Sequence, residues 1–255
     1  MTAPLLALEA VTVDRGGARV LDGISLTIAQ GEFLGLVGRS GSGKSTLARA
    51  ALRLIEPGQG TVRFRGRDLL ALSGRDLRLA RREMQIVFQE PTTSLDPRRT
   101  VAESLAEPFD VHGLAPRHER AKLVTELLRR VELGSELLQR YPHEISGGQA
   151  QRVALARALA TSPSLLVADE ALSALDVSLR AQMVNLLSGL RTSLGIACLF
   201  VTHDLSLAAV LCDRIAVLGA GKLVEIAPAM ELVRNPRHPE TRALVDAAIS
   251  PALRK

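Results

Sequence analysis

Two hydrophobic rhythms alternate along this chain. Short apolar runs occur at LLALEAVTV (5–13), FLGLVG (33–38), TVRF (61–64), QIVFQ (85–89), SLLVAD (164–169), IACLFVT (196–202), RIAVLG (214–219) and KLVEI (222–226). Their length and β-branched content predict strands. Between them, apolar residues recur every three or four positions in KSTLARAALRLI (44–55), HERAKLVTELLRRVEL (118–133), GQAQRVALARALA (148–160) and SLRAQMVNLLSGLRTSL (178–194), which predicts helices. Strands alternating with helices predict an α/β fold with a mainly parallel sheet. The first run and TVRFRG predict an antiparallel flank, and Gly219-Ala220-Gly221 a hairpin-like turn.

The segment from about Thr100 to Leu138 is helix-rich and falls between two strands of the sheet, with prolines 91, 97, 108, 116 and 142 at its edges. It is read as a helical subdomain inserted into the α/β core. The predicted organisation is one domain over 1–255. Its core spans 1–90 and 160–235, the insert roughly 91–159, and a Pro-broken tail with one short helix 236–255.

Composition narrows the picture. Apolar residues make up 47% of the chain and aromatics only 2%, so the core must rest on Leu, Val, Ile and Ala. A charged fraction of 23% argues against disorder. The net charge of +5 could suit nucleic acid or an acidic membrane, but many arginines interleave with acids, as in REMQ and ESLAEPF, which reads as a solvated surface. Cys198 and Cys212 have no metal-like or paired spacing and read as buried thiols of a reducing compartment. MTAPLLALEA lacks the basic-then-apolar pattern of a signal peptide, and no apolar run approaches the ~20 residues that span a bilayer. A soluble, cytosolic chain is expected, serving any membrane by docking to a partner.

The chemistry begins at GRSGSGKST, Gly38 to Thr46. Gly38, Arg39, Ser40, Gly41, Ser42, Gly43, Lys44 and Ser45 fit the G-x-x-x-x-G-K-[ST] pattern, with a strand before and a helix after. Backbone N–H groups in such a loop face phosphate oxygens, and the helix adds positive charge. Lys44 is expected on the β- and γ-phosphates and the Ser45 hydroxyl on Mg²⁺. LLVADE (165–170) makes a buried strand with Asp169 emerging at its carboxyl end, where ligands collect in open α/β sheets. Asp169 there can hold Mg²⁺, and Glu170 can orient or deprotonate an attacking water. Ile145-Ser146-Gly147-Gly148-Gln149 opens the helix AQRVALARALA and forms a second anion site. One nucleotide needs one phosphate loop, so the second site suggests that the γ-phosphate bound by one subunit is clamped by another.

The ordered set GRSGSGKST, FQEP, ISGGQ, LLVADE, SALD and THD resembles the ATP-binding cassette (ABC) ATPases over essentially the whole chain. ISGGQ is similar to the family signature, with Ile145 where Leu is usual. The resemblance implies the P-loop nucleotide hydrolase cassette fold, ATP and Mg²⁺. SALD (173–176) matches the D-loop, with Asp176 helping to set the dimer contact. Gln89 would place a neutral amide near Mg²⁺ and the water, coupling the γ-phosphate to the insert. His203 matches the switch histidine. The histidines at 112, 118, 143 and 238 show no ligand spacing and are assigned to the surface. One departure is evident: the family's adenine-stacking aromatic is replaced, at the aligned position, by Arg15, whose guanidinium plane can stack on a base.

Exporters of this family usually fuse the cassette to membrane helices, and DNA-repair relatives separate loop and signature by long coiled coils. Here only about a hundred residues intervene between Lys44 and Ser146. IVFQEPTTSLDPRRTVAESLAEPF, SALDVSLRAQMVNLL and NPRHPETRALVDAAIS resemble the oligopeptide, dipeptide and nickel importer branch. GIACLFVTHDL, and DEA where peptide members usually read DEP, tilt toward nickel, leaving nickel and peptide both open. The resemblance implies two integral membrane permease subunits, a second ATPase subunit (the same or a different chain), a periplasmic or lipid-anchored substrate-binding protein, and a place on the cytoplasmic face of the inner membrane. The alternative is a non-transport ATPase that clamps nucleic acid. Its basic residues would be expected to form a stripe interleaved with aromatics, and none is visible, so no nucleic-acid partner is expected.

Overall fold

The computed structural model describes residues 3–89 and 94–248. Along the chain run β1 (Leu6–Arg15), β2 (Ala18–Ile28), β3 (Phe33–Val37), α1 (Lys44–Ala51), β4 (Gln59–Phe64), β5 (Arg67–Asp68), α2 (Gly74–Arg82) and β6 (Met84–Val87). Helices α3 (Val101–His112), α4 (Arg117–Arg130) and α5 (Gly147–Leu159) follow, then β7 (Leu165–Asp169), α6 (Val177–Leu194), β8 (Ala197–Thr202) and α7 (Leu205–Leu211). The chain continues through β9 (Arg214–Gly219), β10 (Lys222–Pro228), α8 (Ala229–Arg234) and α9 (Pro239–Ala248).

The central sheet has the order β10-β9-β3-β8-β7-β6, parallel throughout except for β10, which turns back on β9. Strands β3, β7 and β8 are buried along their whole length because the sheet is covered on both faces, which is why they read as unbroken apolar runs. Alternate side chains serve two cores. Phe33, Val37, Leu166, Ala168, Phe200 and Val217 pack with the helical layer, while Leu34, Leu36, Leu165, Val167, Leu199 and Leu218 face the other way. That second core is closed by α1 and by a four-stranded antiparallel sheet, β2-β1-β4-β5. The fold class read from the sequence is therefore observed: a mainly parallel core, an antiparallel β flank, and helices α3–α5 inserted between β6 and β7.

Several elements differ from the pattern reading. β2 was not anticipated, because Asp22-Gly23 interrupts its alternation and register shifts fall along its pairing with β1. Helix α1 stops at Ala51 rather than running to Ile55, since Arg53 takes a left-handed φ of 51° that no helix can continue through. α2, α7 and α8 are six to nine residues long, too short for a helical period to stand out. α3 starts at a sequence signal that was legible: Thr100 accepts from Glu103 N while the Glu103 carboxylate accepts from Thr100 N, a closed capping box. Both cysteines are buried as expected, and burial pushes the Cys198 thiol up to about 12. His112 and His238 are half-buried rather than fully on the surface. The expected tail helix is α9; residues 249–255 and the Glu90-Pro91 part of FQEP lie outside the described residues.

Candidate functional site

Parallel strands bring their carboxyl ends to one edge. Val37 pairs with Thr202 and Asp169 with Val201, so the loop after β3, the acids after β7 and His203 after β8 leave the sheet at one level. The loop from Gly38 to Gly43 wraps the start of α1. Gly41 and Gly43 adopt φ of 77° and 105°, and a Cβ on Gly38 would lie 2.3 Å from the Leu218 carbonyl oxygen. The left-handed φ of Gly41 and Gly43 would strain any side chain, and the close approach at Gly38 leaves no room for one. Gly43 caps α1 without any side-chain bond, which leaves the first amides of the helix open to an anion. The Ser42 hydroxyl is buried without a partner, an orphan of the kind a bound phosphate would satisfy.

Lys44 is buried, and its ammonium donates to the carbonyls of Gly38 (2.9 Å) and Arg39 (3.0 Å). Burial holds its pKa below the ordinary lysine range, opposed by the charges of Glu170 and Asp169. Ser45 donates its hydroxyl to Asp169 Oδ1 at 2.9 Å, so the two expected Mg²⁺ ligands are neighbours. A hydroxyl and a carboxylate are hard oxygen donors, the chemistry that Mg²⁺ requires, and the set fits that ion. Glu170 sits between Lys44 Nζ (3.9 Å) and His203 Nδ1 (3.5 Å). Its backbone is held at a left-handed φ of 50° by a bond from its N–H to Val201 O and by Ser173, which donates to its carbonyl. Such strain in a non-glycine residue persists only where neighbours fix it from both sides. Beside this cluster lies a cavity of about 240 Å³ lined by Val20, Ser40, Gly41, Gly43, Lys44, Ser45, Thr46 and Glu170.

Burial pushes the Asp169 carboxyl above the usual carboxylate value, and the Ser45 bond only partly offsets this. A folded pKa above the unfolded one means the charged carboxylate costs the fold stability at neutral pH, and that cost disappears in acid. Asp169→Asn should therefore raise the melting temperature of the nucleotide-free chain at pH 7–8 by roughly 2–4 °C, about 1 kcal/mol for a domain of this size. The gain should vanish below about pH 4, where Asp169 is protonated in both states. Thermal melts at both pH values check this.

The signature turn stands apart from the cluster. Ser146 accepts from Gln149 N (3.2 Å) while Gln149 Oε1 accepts from Ser146 N (2.9 Å), closing a capping box at the start of α5. Gly147 has open space around its Cα, whereas a Cβ on Gly148 would meet Leu179 of α6 at 3.0 Å. Among the described residues, no hydrogen bond or ion pair joins Ser146–Gln149 to the Gly38–Thr46 loop. Asp176 caps α6 by accepting from Leu179 N at 2.9 Å. Gln89 is exposed two residues beyond β6 and does not line the 240 Å³ cavity. Arg15 is exposed at the end of β1 and likewise outside that lining, where Val20 of β2 is found instead.

Sequence reading missed Arg180. Its guanidinium donates to Leu175 O (2.8 Å) and Ser173 O (3.4 Å) and lies 3.8 Å from Asp204. It thus braces SALD against the residue that follows His203. A lone arginine four residues past a cap gives no sequence signal of such a role.

A strand–loop–helix phosphate cradle with Lys, Ser and two acids at one sheet edge matches known proteins in sequence and in shape. The family described as ABC transporter matches residues 21–173. The chain belongs to that family. Its relatives include the oligopeptide transport ATP-binding protein OppF of Bacillus subtilis, 47% identical over 97% of this chain and 83% of OppF. The glutathione import ATP-binding protein GsiA of Escherichia coli is 50% identical over 88% of this chain, which spans only 36% of GsiA. A dimeric ATP-binding cassette solved in a post-hydrolysis state with ADP and Pi superposes with a TM-score of 0.79 at 32% identity, covering 88% of this chain and 98% of that one. This ABC protein is thus an ATP-binding ATPase of the oligopeptide and dipeptide branch. Among its described residues no helix is long and apolar enough to cross a membrane.

Proposed function

We propose that this ABC ATPase powers import of di- or oligopeptides as one of two nucleotide-binding subunits beneath a pair of membrane permeases. The single observation that carries the reading is the separation of two half-sites on one chain. The Gly38–Thr46 loop with its acids is one half, and the capped Ser146–Gly148 turn, with no bond to it, is the other. Two chains facing each other would complete both nucleotides, and the ADP-bound relative of like shape is itself dimeric.

In the proposed mechanism Lys44, released from its two carbonyls, pairs with the β- and γ-phosphates. Ser45 and Asp169, with Gln89, would hold Mg²⁺, which neutralises charge on the phosphates during transfer. Glu170 takes the proton of the attacking water as the water's oxygen bonds the γ-phosphorus and the bond to the bridging oxygen breaks, releasing ADP and phosphate. His203, 3.5 Å from Glu170, positions that carboxylate and contacts the γ-phosphate. Arg39, Ser40, Gly41, Ser42, Gly43 and Thr46 complete the cradle. Ser146, Gly147, Gly148 and Gln149 close it from the second subunit, with Asp176 at the contact. Arg15 would face the adenine. The insert at 91–159 carries closure to the permeases, the core spans 1–90 and 160–235, and residues 236–255 form the tail.

Peptide is favoured over nickel because the relatives are named for oligopeptide and glutathione, whereas the nickel reading rests on GIACLFVTHDL and DEA alone. A substrate-binding protein outside the membrane and a cytoplasmic-face location complete the proposal. Deletion in the native cell should abolish uptake of labelled dipeptide, and the intact protein should co-purify with integral membrane subunits. Lost nickel uptake with normal peptide uptake would move the assignment to nickel. Co-purification with nucleic acid, released by salt, would favour a nucleic-acid clamp instead.

A further inference from the structure

Helix α5 begins at the signature turn and is buried from Ala150 to Ala156. In its buried part lies Gln151, 1% exposed, on the same helix as the buried Ala150, Val153, Ala154 and Leu155. A buried amide is costly unless it is hydrogen-bonded. Its Nε2 donates to the carbonyl oxygen of Phe88 at 3.3 Å. Phe88 directly precedes Gln89, and Gln151 follows by two residues the Gln149 whose side chain closes the cap on Ser146.

Two arginines extend the attachment. Arg157, six residues further along, donates to Ser94 O at 2.7 Å and comes within 4.0 Å of Glu107 on α3. Residues 90–93 lie outside the described residues, but Phe88 and Ser94 on either side of them are both held by α5. Arg152 binds Val131 O (3.1 Å), Glu132 (2.9 Å) and Gln182 Oε1 of α6 (2.9 Å). The signature helix is thus bonded to the backbone beside Gln89 and to the helix that Asp176 caps.

We propose that Gln151 is a positioning residue, transmitting the position of Gln89 to the Ser146–Gly148 turn of the same chain. A displacement of Phe88 and Gln89 moves α5 as a unit, because its first three turns carry both the bond and the capped turn. The inference rests on the two-chain site proposed above. There, the chain that senses its own nucleotide through Gln89 adjusts the clamp it offers to the nucleotide of the second chain. Gln151 is then one origin of cooperativity between the two sites.

The test is a double-mutant cycle on the purified full-length chain, measuring ATP hydrolysis, ADP affinity and melting temperature. Gln151→Met keeps the side chain's length and removes its donor. ADP affinity should stay within about twofold, kcat should fall roughly tenfold, and the Hill coefficient for ATP should drop toward about 1. Added to Gln89→Ala, the same substitution should cost less than about twofold more, because the coupling it breaks is already gone. A merely structural role gives additive losses, and those would overturn the proposal, as would an unchanged kcat and Hill coefficient in the single variant. If Gln151→Met does not melt cooperatively, Gln151→Leu, apolar and likewise without a donor, is read in the same way. Failure of the two-chain reading is distinguishable: the hydrolysis-blocked Glu170→Gln protein would then show no ATP-dependent dimer.

Discussion

Glu170→Gln is expected to slow ATP hydrolysis by at least about 10²–10⁴ while leaving nucleotide binding intact. Among the described residues, no hydrogen bond joins Glu170 to the backbone of the Gly38–Thr46 loop. Its carboxylate sits 3.9 Å from Lys44 and 3.5 Å from His203, at the open end of the strand that delivers Asp169. An amide there preserves the left-handed backbone, which Val201 and Ser173 hold through main-chain atoms, but it cannot accept a proton. With hydrolysis blocked, the ATP-bound dimer should accumulate, and size-exclusion chromatography with ATP should show a species of twice the mass that is absent with ADP. Turnover near the parent rate would remove Glu170 from the role of general base.

Gly148→Asp should be nearly as damaging through a different subunit. Gly148 is buried against Leu179, whose nearest methyl lies 3.0 Å from where a Cβ would stand. An aspartate there displaces that leucine and sets a negative charge at an α-helix amino terminus that is proposed to face a phosphate. Loss of one such electrostatic clamp costs roughly 10²–10³ in turnover. Nucleotide binding to the variant's own Gly38–Thr46 loop should survive, because no bond joins the two regions within a chain. Equilibrium binding of a fluorescent ADP analogue separates the two effects, and equal loss of both would mean that the substitution had disturbed the whole fold.

What was legible in the sequence were features whose physics is local. Lys44, Ser45 and the glycines must be adjacent in sequence to form a cradle, and residues 165–168 must be apolar because their strand is covered on both faces. The Ser146–Gln149 capping box likewise closes within four residues. Features that depend on distant partners were not legible. Arg180 braces Ser173 and Asp204, and Gln151 meets Phe88 across 63 residues. β2 escaped because Gly23 broke its alternation, although Val20 on that strand lines the phosphate cavity. The family pattern placed an adenine-stacking residue at Arg15, yet the cavity beside the loop is lined by Val20 and not by Arg15.

The central claim is that each nucleotide is completed by two chains, and mixing two inactive variants tests it most directly. Lys44→Ala lacks a working phosphate loop, and Gly148→Asp lacks a working signature turn. A mixed dimer pairs the intact loop of the second with the intact turn of the first, giving one complete site. Neither variant alone should form an ATP-dependent dimer or complete a single turnover. The mixture should recover both, with single-turnover product approaching about half that of the parent protein. If the mixture stays as inactive as its components although the Glu170→Gln protein alone forms an ATP-dependent dimer, the loop and the turn act within one chain, and the two-chain site is wrong.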